Sequence, residues 1–481
     1  MVLTCNLRIH MFKHLVEKYL LSLKWQIFTL ALLFLIFGVY SAQFHAFAAD
    51  EYTYMNSARA FTTGDYNKLS PNDLGRFPGF PFILSLGYRI LGDSEITGRM
   101  LNALLLFAIA ITTLFLVYSS EKDKKLALAA AALVATNPLM LFLGSRTLSE
   151  PLFIFILLLC AWTLLLSLNN KKWLIALGML IPALILTRFF GLYFLPIAIV
   201  FLLWKNQLRE TLLSKWLYSG IVATLLVTGL WIAFNLSATG QAAGQTIQFI
   251  HEQITANAQV VAGSAVGLGL PDKIPAYLLT LPFLLGAPMI IIALLLLLEK
   301  AKLIEKVKNN FSNNVIIISV VAAALIFIIM EIAGFFGPRL LRYIAVTIPF
   351  LAILFAAIFL KIAETSSKKE LLKKVFAASI VLNLIIGFGI VGYFGTYEKH
   401  LAYREAGLYA KNNCESYNSN LDYAMVYYTN KAGIANSAAE INLSRYPPEC
   451  FVLSSYDELN ATPSAGYGEV YKYGQIAVYK K

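Results

Sequence analysis

Apolar residues fill this chain in long continuous runs, each ended by a short polar break. The runs cover 25–43, 95–118, 126–143, 151–168, 173–188, 189–204, 216–236, 276–298, 315–336, 343–361 and 375–396. A helix needs about 20 such residues to cross a bilayer, so the pattern predicts a polytopic α-helical membrane protein with about eleven spans. The runs are rich in Leu and Ile and do not alternate with polar positions, which excludes a β-barrel. Phe80–Leu91 is too short to span and carries Tyr88 and Arg89. It reads as a helix lying in the interface, within a loop over 44–94.

Beyond 397 the pattern changes to a polar one rich in Tyr, Asn and Ser. A helix over Lys399–Lys411 is followed by apolar strands at Tyr423–Tyr428 and Phe451–Leu453, with a helix-like stretch Ala432–Ile441 between them. Val470–Tyr473 and Ile476–Tyr479 read as a hairpin about Gly474. The chain thus divides into a transmembrane domain, 1–397, and a small α/β domain, 398–481.

Composition agrees with the pattern: 58% of the 481 residues are hydrophobic and 14% charged, where a soluble domain has about 25% charged. A net charge of +12 points to nucleic acid only in a soluble protein. Here it is explained by lysines in alternate loops, at Lys122/Lys124/Lys125, Lys171/Lys172, Lys205/Arg209/Lys215, Lys300/Lys302/Lys306/Lys308 and Lys368/Lys369/Lys373/Lys374. The positive-inside rule then places the N-terminus in the cytosol, and the 44–94 loop and the C-terminal domain outside. The first apolar run is long enough to remain as an anchor. Of the cysteines, Cys160 lies in an apolar run, while Cys414 and Cys450 fall in the outer domain and are candidates for a disulfide.

Asp50 and Glu51 stand together just after the first apolar run. Carboxylates at a membrane rim are costly to place, which marks them as functional candidates. The plainer reading is two acids opening a surface helix, where they complement its dipole. Arg59, Arg146, Glu150, Arg188, Arg339, Arg342 and Tyr343 fall on the same predicted face. Acids and arginines at one depth suggest a cavity for a phosphorylated ligand, since guanidinium groups fit phosphate oxygens and a carboxylate can take a proton from an attacking hydroxyl. Arg339 and Arg342 also suit snorkelling to lipid headgroups. His251-Glu252 lacks the second His of a zinc protease. A divalent metal is the one cofactor left open, with Glu51 and His251 as candidate ligands. Asn383, inside the last span, reads as interhelical glue.

These residues resemble the GT-C type polytopic glycosyltransferases, in particular the protein O-mannosyltransferase and lipid A aminoarabinose transferase family. The likeness is carried by Asp50-Glu51-Tyr52-Thr53-Tyr54, Arg76-Phe77-Pro78-Gly79-Phe80-Pro81, Leu91-Gly92-Asp93-Ser94-Glu95, Gly98-Arg99, Asn137-Pro138, Ser145-Arg146-Thr147-Leu148-Ser149-Glu150-Pro151 and Arg342-Tyr343. Gly75 stands where some aminoarabinose transferases have a carboxylate. The resemblance implies an inverting transfer of a monosaccharide from a polyprenyl- or dolichyl-phosphate donor to an acceptor hydroxyl outside the cytosol. It also implies Asp50 as base, with Glu51 supporting it or binding the acceptor or a metal. Arg76 would face the donor phosphate, and Glu150 would be the second outer acid. The acceptor is a protein, a glycan or a lipid. The alternative is a transporter or flippase of a lipid-linked sugar, which would favour repeat symmetry and polar groups near the bilayer midplane.

Overall fold

The computed structural model describes residues 24–44, 49–65, 77–239, 284–295, 314–332, 341–395, 398–414, 417–419, 434–435, 450–454, 467–473 and 476–480. Within them each apolar run forms a helix. Six helices are long and apolar enough to cross a membrane, or seven if one bent pair counts as a single span. The others are shorter, so the about eleven expected helices exist while full-length spans among the described residues are fewer.

In chain order the helices are α1 (Lys24–Ser41), α2 (Ala49–Thr63), α3 (Gly79–Leu91), α4 (Glu95–Glu121), α5 (Lys124–Thr136), α6 (Pro138–Gly144), α7 (Glu150–Asn169) and α8 (Trp173–Thr187). After a 3₁₀ turn at Phe189–Tyr193 come α9 (Phe194–Trp204), α10 (Leu208–Leu212), α11 (Lys215–Thr239), α12 (Leu284–Leu295), α13 (Asn314–Ile332), α14 (Leu341–Ile344), α15 (Ile348–Thr365), α16 (Lys369–Gly395) and α17 (Glu398–Asn413).

One expected span, 126–143, is broken. α5 and α6 meet at 61° because Pro138 has no amide hydrogen to continue the first helix and suits the start of the second. Asn137 caps α6 by accepting from the amides of Leu139 and Met140, and its own amide donates to the Leu284 carbonyl at 2.9 Å. Asn383 is glue of the same kind, accepting from the Ala287 amide at 2.8 Å.

The buried centre of the bundle is formed by α4, α5, α7 and α15. Against them α8 and α11 cross closely where glycines meet: a side chain on Gly178 would run into the Gly220 backbone. Thr224 uses that proximity to donate to the Gly178 carbonyl at 2.7 Å. Small residues at such crossings let backbones approach and replace the hydrophobic drive that lipid does not supply. α3 is apolar on both sides. Phe80, Leu84 and Tyr88 are buried, while Phe82, Leu86 and Ile90, also four residues apart, are exposed. That is the composition of a helix covered by protein on one face and lipid on the other.

The C-terminal segment forms a five-stranded sheet of β1 (Tyr417–Ser419), β2 (Ile434–Ala435), β3 (Cys450–Ser454), β4 (Gly468–Tyr473) and β5 (Ile476–Lys480), in the order β2-β1-β3-β5-β4. β1 is parallel to β2 and β3, whereas β5 is antiparallel to β3 and β4. The expected hairpin is present as β4–β5. One expectation changes. Ile434 and Ala435, inside the stretch read as helix-like, pair with Asn418 and Ser419 as strand, because sheet pairing overrides a weak local helical preference. β1 had no apolar run to announce it. The expected strand Tyr423–Tyr428 lies outside the described residues. Ala402, Ala406 and Ala410, at four-residue spacing on α17, are buried, and a Cys414–Cys450 disulfide ties the end of that helix to β3.

Candidate active site

The site begins with the geometry of α2. Asp50 and Glu51 lie in its first turn, and a helix rotates about 100° per residue, so the two carboxylates diverge. Glu51 turns inward and is 0% exposed. Its Oε1 accepts from Arg146 Nη1 at 2.8 Å and its Oε2 from the Thr147 amide at 3.0 Å. Asp50 turns the other way, stays partly exposed, and meets Arg342 Nη1 at 2.6 Å.

The loop between α6 and α7 receives Glu51. It is held from α4, where Asn102 Nδ2 donates to the carbonyls of Arg146 and Leu148. Gly98, one turn earlier on α4, has no side chain, and a Cβ there would lie 2.5 Å from Thr147 Oγ1. Arg99 sits beside it, almost fully buried, donating to the Ser41 carbonyl at the end of α1 and lying 3.7 Å from Glu95. Cationic capping of a helix C-terminus satisfies an orphan carbonyl and complements its dipole.

Around Asp50 the polar groups close a ring. Arg342 Nε lies 3.5 Å from Glu150 Oε1, and Arg188 Nη1 lies 2.8 Å from the same oxygen. Arg188 Nη1 also donates to Ser149 Oγ at 3.0 Å, and Ser149 Oγ is hydrogen-bonded to the Tyr54 hydroxyl at 2.9 Å. Tyr54 is four residues after Asp50, on the same face of α2. Tyr343 lies against both guanidiniums, its ring centre 4.7 Å from Arg188 Cζ and 5.1 Å from Arg342 Cζ.

Opposite charges compensate the burial of two guanidiniums: Glu150 and Asp50 flank Arg342, and Glu150 flanks Arg188. Burial pushes Arg146 down to about 9, against the attraction of Glu51, which still leaves it protonated at neutral pH.

The expected residues separate into three groups. Asp50, Glu150, Arg188, Arg342 and Tyr343 meet in the ring. Glu51 and Arg146 form a buried brace beside it, so both Glu51 oxygens are engaged in holding the loop. Arg59 pairs with Asp93 instead. Arg76, Arg339 and His251 lie outside the described residues. Among the described residues no three His, Cys, Asp or Glu side chains gather as a metal site would require, and the ring and brace set carboxylates against guanidiniums. Tyr54, Ser149, Asn102 and Arg99 were not singled out as site residues. A buried amide and a buried guanidinium in an apolar helix carry the same signal that marked Asp50.

Residues 75–233 match the family model of the dolichyl-phosphate-mannose-protein mannosyltransferases. The structure is similar to that of ArnT from Cupriavidus metallidurans crystallised with undecaprenyl phosphate. The TM-score is 0.68 at 14% identity, over 95% of this chain and 98% of that one. The fold is that of a GT-C type polytopic glycosyltransferase. Apo ArnT gives a TM-score of 0.65 at 13% identity, with the same coverage. No curated protein matches the sequence significantly. In this GT-C fold the matched segment carries α3 to α10 and most of α11, and with them Arg146, Ser149, Glu150 and Arg188. Asp50 precedes it and Arg342 follows it.

Proposed function

We propose that the protein transfers a monosaccharide from a polyprenyl- or dolichyl-phosphate carrier to an acceptor hydroxyl, with inversion, at the membrane face where the ring lies. The observation that carries this reading is the ring itself: Asp50 paired with Arg342, and Glu150 between Arg342 and Arg188, at helix ends of a GT-C fold. The undecaprenyl phosphate of the similar ArnT crystal supports a lipid-phosphate donor here.

The chemistry follows from the groups present. The acceptor oxygen attacks the anomeric carbon from the side opposite the phosphate, and Asp50 takes its proton. The bond from sugar to phosphate oxygen breaks, and the lipid phosphate leaves as an anion. That leaving group needs neutralisation and no proton, which two preorganised guanidiniums supply. Arg146 and Glu51 keep the loop in register. A divalent cation does not fit the described donor set, because each carboxylate of the ring and brace already faces an arginine and hard cations call for gathered oxygens.

The ring face is read as extracytoplasmic. At the opposite helix ends Lys171 reaches Gln207 and Thr211, and Lys172 and Lys215 flank the Trp216 ring, as cytosolic lysines do. The Cys414–Cys450 disulfide favours an oxidising compartment for the C-terminal domain, 398–481. A flippase would need its polar groups near the midplane, whereas this ring sits at the ends of α7 and α8.

The test is to incubate purified protein with a panel of polyprenyl-phosphate sugars and acceptor fractions, and to measure polyprenyl phosphate release with and without chelator. Release that chelator leaves intact is expected. Failure to release it from every donor, or full activity of Asp50→Asn, would sink the reading.

A further inference from the structure

The ring has two unlike halves. Ser149, Glu150 and Arg188 form the inner half, with Glu150 1% and Arg188 14% exposed. Asp50 and Arg342 form the outer half, at 18% and 28%. Contacts differ in the same sense. Arg342 is 2.6 Å from Asp50 through Nη1 and 3.5 Å from Glu150 through Nε.

This places the base and the phosphate ligand of the proposed reaction on each other. A carboxylate engaged by a guanidinium at that distance has its charge stabilised and is a poor proton acceptor. A phosphate approaching Arg342 needs the same outward guanidinium edge that Asp50 occupies. Arg342 need not move for the exchange. Its Nε stays beside Glu150 and its Nη2 donates to the Tyr343 hydroxyl at 3.2 Å, while Asp50, in the first turn of α2, meets it through Nη1. We infer that Asp50 and the donor phosphate compete for Arg342, so that Arg342 withholds the base until an anionic donor head takes its guanidinium.

Two consequences follow, both resting on the donor reading given above. Arg342 becomes a specificity-determining residue: a neutral sugar leaves Asp50 masked, whereas a sugar on a phosphate anion unmasks it. Binding is also ordered, donor before acceptor. Once Asp50 is released, the acceptor O–H bond breaks towards it as the new bond to the anomeric carbon forms. The bonding pair of the sugar–phosphate link then departs with the phosphate, on the guanidinium that Asp50 vacated.

The experiment is a binding cycle. Undecaprenyl phosphate is titrated into the full-length protein in phosphatidylcholine nanodiscs, for wild type, Asp50→Asn, Arg342→Gln and the double variant, with undecaprenol as the neutral control. Competition predicts that Asp50→Asn binds the phosphate about fivefold tighter, the worth of one partly exposed ion pair. It also predicts that the gain vanishes when Arg342 is absent and that undecaprenol is unaffected. An unchanged or weaker Kd for Asp50→Asn overturns the inference while leaving the donor reading standing. Asp50→Ser replaces Asp50→Asn should the latter not fold. Wild type that does not distinguish the phosphate from undecaprenol overturns the donor reading, and the competition with it.

Discussion

Asp50 and Glu51 are neighbours in sequence with the same chemistry, and α2 sends them to opposite fates. Glu51 is sealed in protein, both oxygens satisfied by Arg146 and the Thr147 amide. Asp50, one residue earlier, stays reachable and shares Arg342 with Glu150. The difference is set by helical rotation and by what each direction meets: a loop stapled by Asn102, or the partly exposed Arg342. A buried ion pair of this kind holds geometry; an accessible one can exchange partners.

That contrast can be broken from either side. Glu51→Gln leaves Arg146 buried without its counter-charge, and removing one partner of a buried pair costs about 3 to 5 kcal/mol. The expected result is a large drop in the thermal midpoint, read by unfolding in detergent. Gly98→Val drives a side chain into Thr147 and should cost about 1 to 3 kcal/mol by overpacking, with lost activity tracking displacement of the loop. Asn102→Ala orphans the carbonyls of Arg146 and Leu148, at about 1 to 3 kcal/mol for unsatisfied buried groups. Its transfer rate should fall even at temperatures where the protein stays folded. Arg59→Gln sharpens the contrast by its small effect. It lies on the same helix but pairs with Asp93 near the surface, so stability should change by less than about 1 kcal/mol and kcat should stay near wild type. A large loss of kcat there would place Arg59 in the donor site after all.

Much of the scaffold was legible because lipid enforces a simple rule: an apolar run of span length becomes a helix. The Asn137-Pro138 break was also written in the sequence, yet the apolar pattern runs through it undisturbed. Within the site the acids and arginines were visible as polar residues where polarity is costly. Their partners were not. That Arg188 and Arg342 converge on Glu150 depends on how α7, α8 and α14 pack, and no spacing encodes it. Ser149 was legible only as part of the motif from Ser145 to Pro151, and its contacts arise because Tyr54 arrives from α2 and Arg188 from the end of α8. Glu51 was legible in kind but not in direction: adjacency suggested a couple, and about 100° of rotation per residue separates it. In the C-terminal segment the strands with apolar alternation were read, while β1 and β2, each very short, take their conformation from pairing.

The most direct test compares the two carboxylates in one assay: single-turnover consumption of a labelled polyprenyl-phosphate sugar by wild type, Asp50→Asn and Glu51→Gln, at a temperature where all three remain folded. If Asp50 is the base, its variant binds donor yet transfers about 10² to 10⁴ times more slowly, while folded Glu51→Gln retains the larger share of its rate. Equal rates for Asp50→Asn and wild type, or a greater loss from Glu51→Gln, would contradict the assignment.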